Sequence, residues 1–478
     1  MTNHTLQNTR RNACSTHFDY VIVGGGISAA VIALYLTKHG KNCLMIEAGE
    51  SLNNWTYPRH EGDANSRLFW SGGIELNTDA DLALLRPKVL GGGSIVNQAL
   101  LDTFPESVWE DWRKRTNISW MNSEELLGYY KLAQDELACQ EVPESSWNRN
   151  VGVFRDGHQK NGHGWARLKR AQGNCAYEQG SDCIECLSGC IRDSKQSMPI
   201  TVLRKALATG LLTIASRSEV FHIAETSNFV SVTYRGERGE SQSVRSSRAI
   251  LAGGAVGNSV LLLRSGFSRQ LPAIGTGFYV HPQDMIFGIY DEPIMAYKGG
   301  FQALKSDDNG FRQTGFKLEN IFGPPASLAM LFPGTGVQHA TLMQKINYMA
   351  CLEVAIRDTN PGYIKLGIAQ RPKIIKRLND EDRKRRTAGI AAIENILQST
   401  GAKELIHGEL MIGLHLMGGC PIGSSVSQAV VDPSFKVWGT KNIFCADSSI
   451  FPAAPGINPS WTIMALSIRA AHEVLAQS

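Results

Sequence analysis

Between residues 18 and 23 the chain reads Phe-Asp-Tyr-Val-Ile-Val, apolar enough for a strand buried on both faces. It passes directly into Gly24, Gly25 and Gly26. Apolar positions at Ile32, Leu34 and Leu36 then predict a helix. Cys43, Leu44, Met45 and Ile46 predict a second buried strand, closed by Glu47. Strand, glycine turn, helix and strand make a βαβ unit. The device returns at 249–266, where an apolar run meets Gly253 and Gly254 and a helical stretch follows through Leu261, Leu262 and Leu263. Another strand is expected at 211–215.

The pattern changes further along. Residues 349–357 and 363–367 alternate around Asp358-Thr359-Asn360-Pro361-Gly362, which predicts an antiparallel hairpin. Segments 287–290 and 311–318 are expected to be strands as well. Residues 373–386 hold seven basic side chains among three acids and lead into Ile390, Ile393, Ile396 and Leu397. That predicts the solvated start of an amphipathic helix, with a docking patch for an acidic partner as the rarer use.

Composition narrows the class. A chain of 478 residues, 43% hydrophobic and 19% charged, suits two domains or one large fold with insertions. A net charge of +4 is too small to imply a nucleic-acid partner. No apolar run reaches the ~18–20 residues of a membrane helix. Arg10-Arg11 is followed by no apolar stretch, so an export signal is not expected, and residues 1–17 are taken as a flexible tail on a cytoplasmic protein. Of ten cysteines, Cys175, Cys183, Cys186 and Cys190 cluster in a glycine-rich, polar stretch. Their spacing admits zinc or an iron–sulfur cluster, a disulfide, or plain loop thiols. Tryptophans 55, 70, 147 and 165 lie outside the nucleotide-like segments; core packing is their commoner use and a sugar-binding face the rarer one.

The first glycine cluster carries G-x-G-x-x-A. Gly24 allows the tight turn, Gly26 lets a pyrophosphate approach the helix N-terminus, and Ala29 is small enough for helix–strand packing. Ile27 and Ser28 open the helix, and Glu47 can bind both ribose hydroxyls. This fingerprint predicts a dinucleotide site without choosing FAD or NAD. A second loop holds Leu90, Gly91, Gly92, Gly93, Ser94 and Asn97; three consecutive glycines belong where the chain passes close to something.

Together with Ala446-Asp447 and the segment 456–465, these motifs resemble the glucose–methanol–choline (GMC) oxidoreductases, from residue 18 to the C-terminus. The resemblance implies an α/β fold: a discontinuous Rossmann-like FAD-binding domain with an inserted α+β substrate domain on an antiparallel sheet. The FAD-binding part would comprise 18–50, 84–104, 195–285 and 405–478. The substrate-binding domain and connecting loops would comprise 51–83, 105–194 and 286–404. It further implies that 88–97 wraps the FAD, with Asn97 near the flavin, Val220 by the adenine, and Ala446 and Asp447 by the ribityl chain and pyrophosphate. No histidine stands at 91–97, so FAD is expected to be non-covalent.

Oxidising an alcohol removes a hydride, taken by flavin N5, and a proton, taken by a base. By the resemblance His415 is that base, although Leu416 follows it where the family usually has proline. Asn458 is its partner, as in the histidine–asparagine pair of cholesterol oxidase. Pro459 and Thr462 open the last helix, whose N-terminus can stabilise charge on the reduced flavin. His281 is expected to be structural. The substrate would be a small alcohol or sugar, possible targets including an aminoglycoside-like primary alcohol of a biosynthetic route. Oxygen or another carrier would accept the electrons. A lyase with idle FAD, an electron-transfer subunit using the cysteines, and an inactive flavin scaffold are the competing expectations.

Overall fold

The computed structural model describes residues 17–176 and 182–477. The expected tail, apart from His17, therefore lies outside the described residues.

One layer grows from the βαβ unit. Strand Phe18–Val23 pairs in parallel with Cys43–Ile46 on one side and with the C-terminal half of Ser241–Leu251 on the other. Leu212–Ala215 and Ile443–Cys445 extend the parallel sheet at its two ends. The first half of Ser241–Leu251 instead pairs antiparallel with Val230–Arg235, which pairs with Glu219–Glu225. Helix Ile27–Lys38 is buried from Ser28 to Thr37, as an apolar-all-round helix must be. It packs between the sheet and the C-terminal helix Ser460–Ala476.

The second layer is a nine-stranded sheet, a roof built around Tyr279–Ile289. That strand pairs antiparallel with Met349–Ile356 and with Met411–Met417. Phe316–Asn320 adds to Met349–Ile356 on the outer side. Helix Asp380–Ser399 covers the face carrying Leu318 and Val354, entered through a capping box between Asn379 and Asp382. The opposite face turns towards the C-terminal loop.

Three local expectations need correction. Tyr363–Leu366 pairs with Pro372–Ile375 rather than with Met349–Ile356, because both edges of the latter are already taken. Residues 311–318 are not one strand: Asp308 caps a short helix, Asn309–Thr314, and Gly315 at φ 97° starts Phe316–Asn320. The basic run is not simply solvated, since Lys376 is fully buried and its Nζ donates to Asp358 Oδ1 at 2.8 Å. Burial pushes Asp358 up to about 6 despite that partner. The roof takes all of Tyr279–Ile289 together with Glu404–His407 and Met411–Met417. Sequence patterning did not foresee this, as a strand does not announce which sheet it joins. Of the four tryptophans, Trp55 is 81% exposed, whereas Trp147 and Trp165 pack edge to face.

Replacing Lys376 with Met should destabilise the protein by about 3–5 kcal/mol, because it strands the Asp358 carboxylate in the interior. Urea unfolding checks this, and an unchanged midpoint would contradict it.

Candidate active site

Three glycine turns meet at the edge of the parallel sheet. Gly24 has φ 101°, and a Cβ there would sit 2.3 Å from Ala252 O. Gly91 N donates to Gly25 O at 2.7 Å, and a Cβ on Gly92 would reach within 2.8 Å of Gly26 Cα. Only backbone can pass at such distances. In front of Gly26 nothing lies within 4 Å of a Cβ position, so the start of helix Ile27–Lys38 opens on free space. That helix has no side-chain cap and no acid in its first turn. Ser28 Oγ is buried there without a hydrogen-bond partner among the described residues.

These features fit an anionic pyrophosphate at the helix N-terminus. Glu47 ends the second strand, and its carboxylate accepts from Gly25 N and Gly49 N, both at 2.7 Å. Burial nevertheless raises its pKa to about 7. Ile27, Ala29 and Leu90 pack around the turn, while Gly93 begins a short helical turn. Ser94 Oγ donates to Gly91 O at 2.6 Å, and Asn97 Oδ1 accepts from Ala99 N. Val220 opens Glu219–Glu225 close to the second strand, where Ser218 N donates to Glu47 O.

Ala446 and Asp447 follow Ile443–Cys445, but the Asp447 carboxylate is already occupied. It accepts from Gly254 N at 2.6 Å, Asn258 Nδ2 at 3.0 Å and Ser449 N at 2.8 Å. It therefore braces the third glycine turn. Thr462 Oγ1 is likewise engaged, with Tyr130 OH at 2.6 Å, and Pro459 is buried at the entry to the last helix.

His415 lies near the end of roof strand Met411–Met417, at φ 55°. The register with Tyr279–Ile289 shifts here: Tyr279 faces Met417 while His281 faces Leu414. The histidine strand thus carries one extra residue, a bulge of the kind that re-aims a side chain. The bulge brings His415 Nδ1 to 2.9 Å from His281 Nδ1. His281 Nε2 accepts from Gly456 N at 3.0 Å. A neutral imidazole has one N–H and one lone pair. Since Gly456 occupies the Nε2 lone pair, the His281 proton is on Nδ1 and points at His415 Nδ1. His415 then carries its own proton on Nε2.

His281 is therefore not merely structural, and the sequence offered no sign of its contact with a residue 134 positions away. Burial, and then Lys317, hold His415 neutral down to about 4. Burial first, with His415, Lys317 and Arg357 adding to it, keeps His281 well below the usual histidine range. Lys317 is the other residue that sequence reasoning missed. It projects from Phe316–Asn320, and its Nζ donates to Asn458 Oδ1 at 2.6 Å. Beside it on the same roof face lie Glu319, Glu353, Gln283 and Gln302, all buried.

Cys175, Cys183, Cys186 and Cys190 line one cavity of about 20 Å³. They do not converge on a metal position: no group of three ligating side chains placed to hold an ion occurs among the described residues. Arg170 donates to Cys183 Sγ at 3.2 Å, and Lys195 N donates to Cys190 Sγ. A hydrogen bond from Cys186 lowers the Cys190 thiol to about 5.

The profile of the N-terminal GMC oxidoreductase domain matches residues 18–283, and that of the C-terminal domain matches 367–467. The chain belongs to the GMC oxidoreductase family. It is an FAD-dependent oxidoreductase. Among its relatives, an uncharacterized GMC-type oxidoreductase of Sinorhizobium fredii is 25% identical over 96% of this chain and 95% of its own. A long-chain-alcohol oxidase of Arabidopsis thaliana is 25% identical over 94% of this chain and 67% of its own. The solved structure of formate oxidase from Aspergillus oryzae shares the fold with a TM-score of 0.74 at 18% identity, covering 97% of this chain and 98% of its own. No helix among the described residues of this GMC oxidoreductase is long and apolar enough to cross a membrane.

Gly92→Ala should sharply lower FAD retention, since the added methyl meets Gly26 backbone at a φ of 52° that disfavours a side chain. Flavin absorbance per protein after gel filtration measures it, and full occupancy would contradict the groove assignment.

Proposed function

We propose that this GMC oxidoreductase oxidises the CH–OH of a small polar alcohol, sugar- or aminoglycoside-like, to a carbonyl. The observation that carries this is Lys317, whose Nζ donates to Asn458 Oδ1 at 2.6 Å and whose charge also acts on buried His415, below a roof face of buried polar side chains. Bound FAD supplies the hydride acceptor, N5. On the protein side, His415 and Asn458 flank the alcohol oxygen. The expected role of His415 as direct base needs a lone pair on Nε2, and the hydrogen bonds from Gly456 through His281 leave a proton there instead. His415 is accordingly a hydrogen-bond donor to the oxygen. The alcohol gives up its hydroxyl proton to water, and the resulting alkoxide is stabilised by the donors around it.

The roof supports a polar substrate. Gln283 Oε1 and Gln302 Oε1 are buried without a partner among the described residues, and Glu319 and Glu353 lie on adjacent strands of the same face. Orphaned acceptors of this kind cost about 1–3 kcal/mol each unless a donor reaches them. Hydroxyl or amino groups of a substrate supply such donors, whereas a long alkyl chain does not. The oxidase names of its relatives support dioxygen as final electron acceptor. Non-covalent FAD is supported by a second loop with no histidine, cysteine or tyrosine at 88–97.

Anaerobic mixing with a panel of polyols, amino alcohols and alkanols tests the reading. Polar alcohols should bleach the flavin band, and His415→Ala should slow that reduction about 10²–10³-fold. Absence of bleaching would point to a lyase or an inactive scaffold. Between about pH 6 and 9 His415 stays neutral, so its titration cannot shape the rate. Reduction should then rise with pH, by up to about tenfold per unit, as the alkoxide fraction grows. A flat profile over that range would restore His415 as the direct base. Acid precipitation should release the FAD into the supernatant.

A further inference from the structure

The Asn458 amide is not free to choose which end it shows to a substrate. Its Oδ1 is taken by Lys317 Nζ at 2.6 Å. Turned the other way, the amide would set its NH2 against an ammonium, donor against donor. Lys317 is itself held in place. Its Nζ also donates to Asp102 Oδ2 at 2.9 Å, and Glu319 Oε1 lies 2.5 Å away as an ion-pair partner, so three oxygens surround the ammonium. Asp102 also pairs with Lys305. Glu319 accepts from Gln302 Nε2 at 3.0 Å.

Burial, and then the neighbouring Glu319, push the Glu353 carboxyl well above the carboxylate range, so it stays protonated and can donate to Glu319. The cage therefore balances: Lys317 and Lys305 against Asp102 and Glu319, with Glu353 neutral. Burial opposes the Lys317 charge, but Asp102 and Glu319 outweigh it and raise its pKa. A lysine so enclosed is a permanent cation.

We propose that Lys317 sets the polarity of the substrate-oxygen site, holding Asn458 with its N–H2 towards the reacting oxygen and keeping a buried positive charge behind it. This rests on the assignment of His415 and Asn458 as the residues flanking that oxygen. Lys317 is a positioning residue, acting through Asn458. Two independent second contacts thus agree. Gly456 and His281 make His415 a donor, and Lys317 makes Asn458 one. Both donors favour an oxygen gaining negative charge as the hydride leaves its carbon. The charged and titratable groups around them are His281 from Tyr279–Ile289, Lys317 and Glu319 from Phe316–Asn320, Glu353 and Arg357 from Met349–Ile356 and its end, and Asp102 with Lys305.

The test compares FAD-loaded wild type with Lys317→Met, and with Lys317→Met/Asp102→Asn, which keeps the cage balanced if the single variant fails to fold. The limiting rate of anaerobic flavin reduction should fall about 10²-fold while the apparent substrate Kd changes less than about threefold. The pH profile should move towards the alkaline side by about one unit, since the alkoxide loses a cation. Adding Lys317→Met to Asn458→Ala should cost only about tenfold more, the share carried by the charge, rather than the full hundredfold, because residues acting as one unit are not additive. Asn458→Asp, nearly isosteric, should lose about 10³-fold by offering the oxygen an acceptor in place of a donor. Additive costs in the cycle, or an active Asn458→Asp enzyme, would overturn the role of Lys317. If His415→Ala reduces flavin as fast as wild type, the fault lies with the flanking pair itself. If His415→Ala is slow and the lysine variants match wild type, only the lysine assignment fails.

Discussion

Backbone meeting backbone, with no side chain between, is the constraint on which this molecule depends. Gly24 lies against Ala252, Gly92 against Gly26, and at Gly418 an added Cβ would fall 1.7 Å from Gly277 O. The first two contacts bring the glycine loops together around a groove. The third seats the end of the histidine strand on the segment leading into Tyr279–Ile289. A methyl group at any of them would push apart the elements that carry the cofactor fingerprint and His415. The glycine-lined groove and the placement of His415 therefore share one physical origin.

A second theme is the handling of buried charge. Lys317, Asp102, Glu319 and Lys376 all lie in the interior, where an unpaired ion would be costly. Each has a partner close by: Lys317 with Asp102 spans 215 positions, Lys317 with Glu319 lies within one strand, and Lys376 with Asp358 joins two loops. Lys376 with Asp358 anchors the loop after Met349–Ile356 by a bond from Val280 N to the same carboxylate. Lys317 ties the roof to the C-terminal loop. These ions organise the site, and Lys317 adds to the burial that holds the nearby imidazoles neutral.

Much of the first layer was legible along the chain. The βαβ unit at 18–47, the third glycine turn and the strand at 211–215 form as expected, because each is a local pattern with one stable solution. The roof was harder. Residues 311–318 read as a strand but split at Gly315, where Asp308 caps a helical turn. The expected hairpin after Met349–Ile356 gave way to a different pairing, since the availability of a strand edge is a property of the whole sheet. The cysteine spacing, ambiguous along the chain, gives a shared cavity but no metal position among the described residues.

The sequence by itself determined the family and the dinucleotide fingerprint, and it pointed to His415 and Asn458, because glycine turns and short motifs are encoded by neighbouring residues. Tertiary structure alone decided what those two side chains can do. Hydrogen-bond polarity depends on the second partner of each group, and those partners, His281 with Gly456 and Lys317 with Asp102, come from segments far apart in the chain. No local pattern records whether a histidine nitrogen holds a proton or a lone pair. That is settled only when the fold brings the next donor within 3 Å of it.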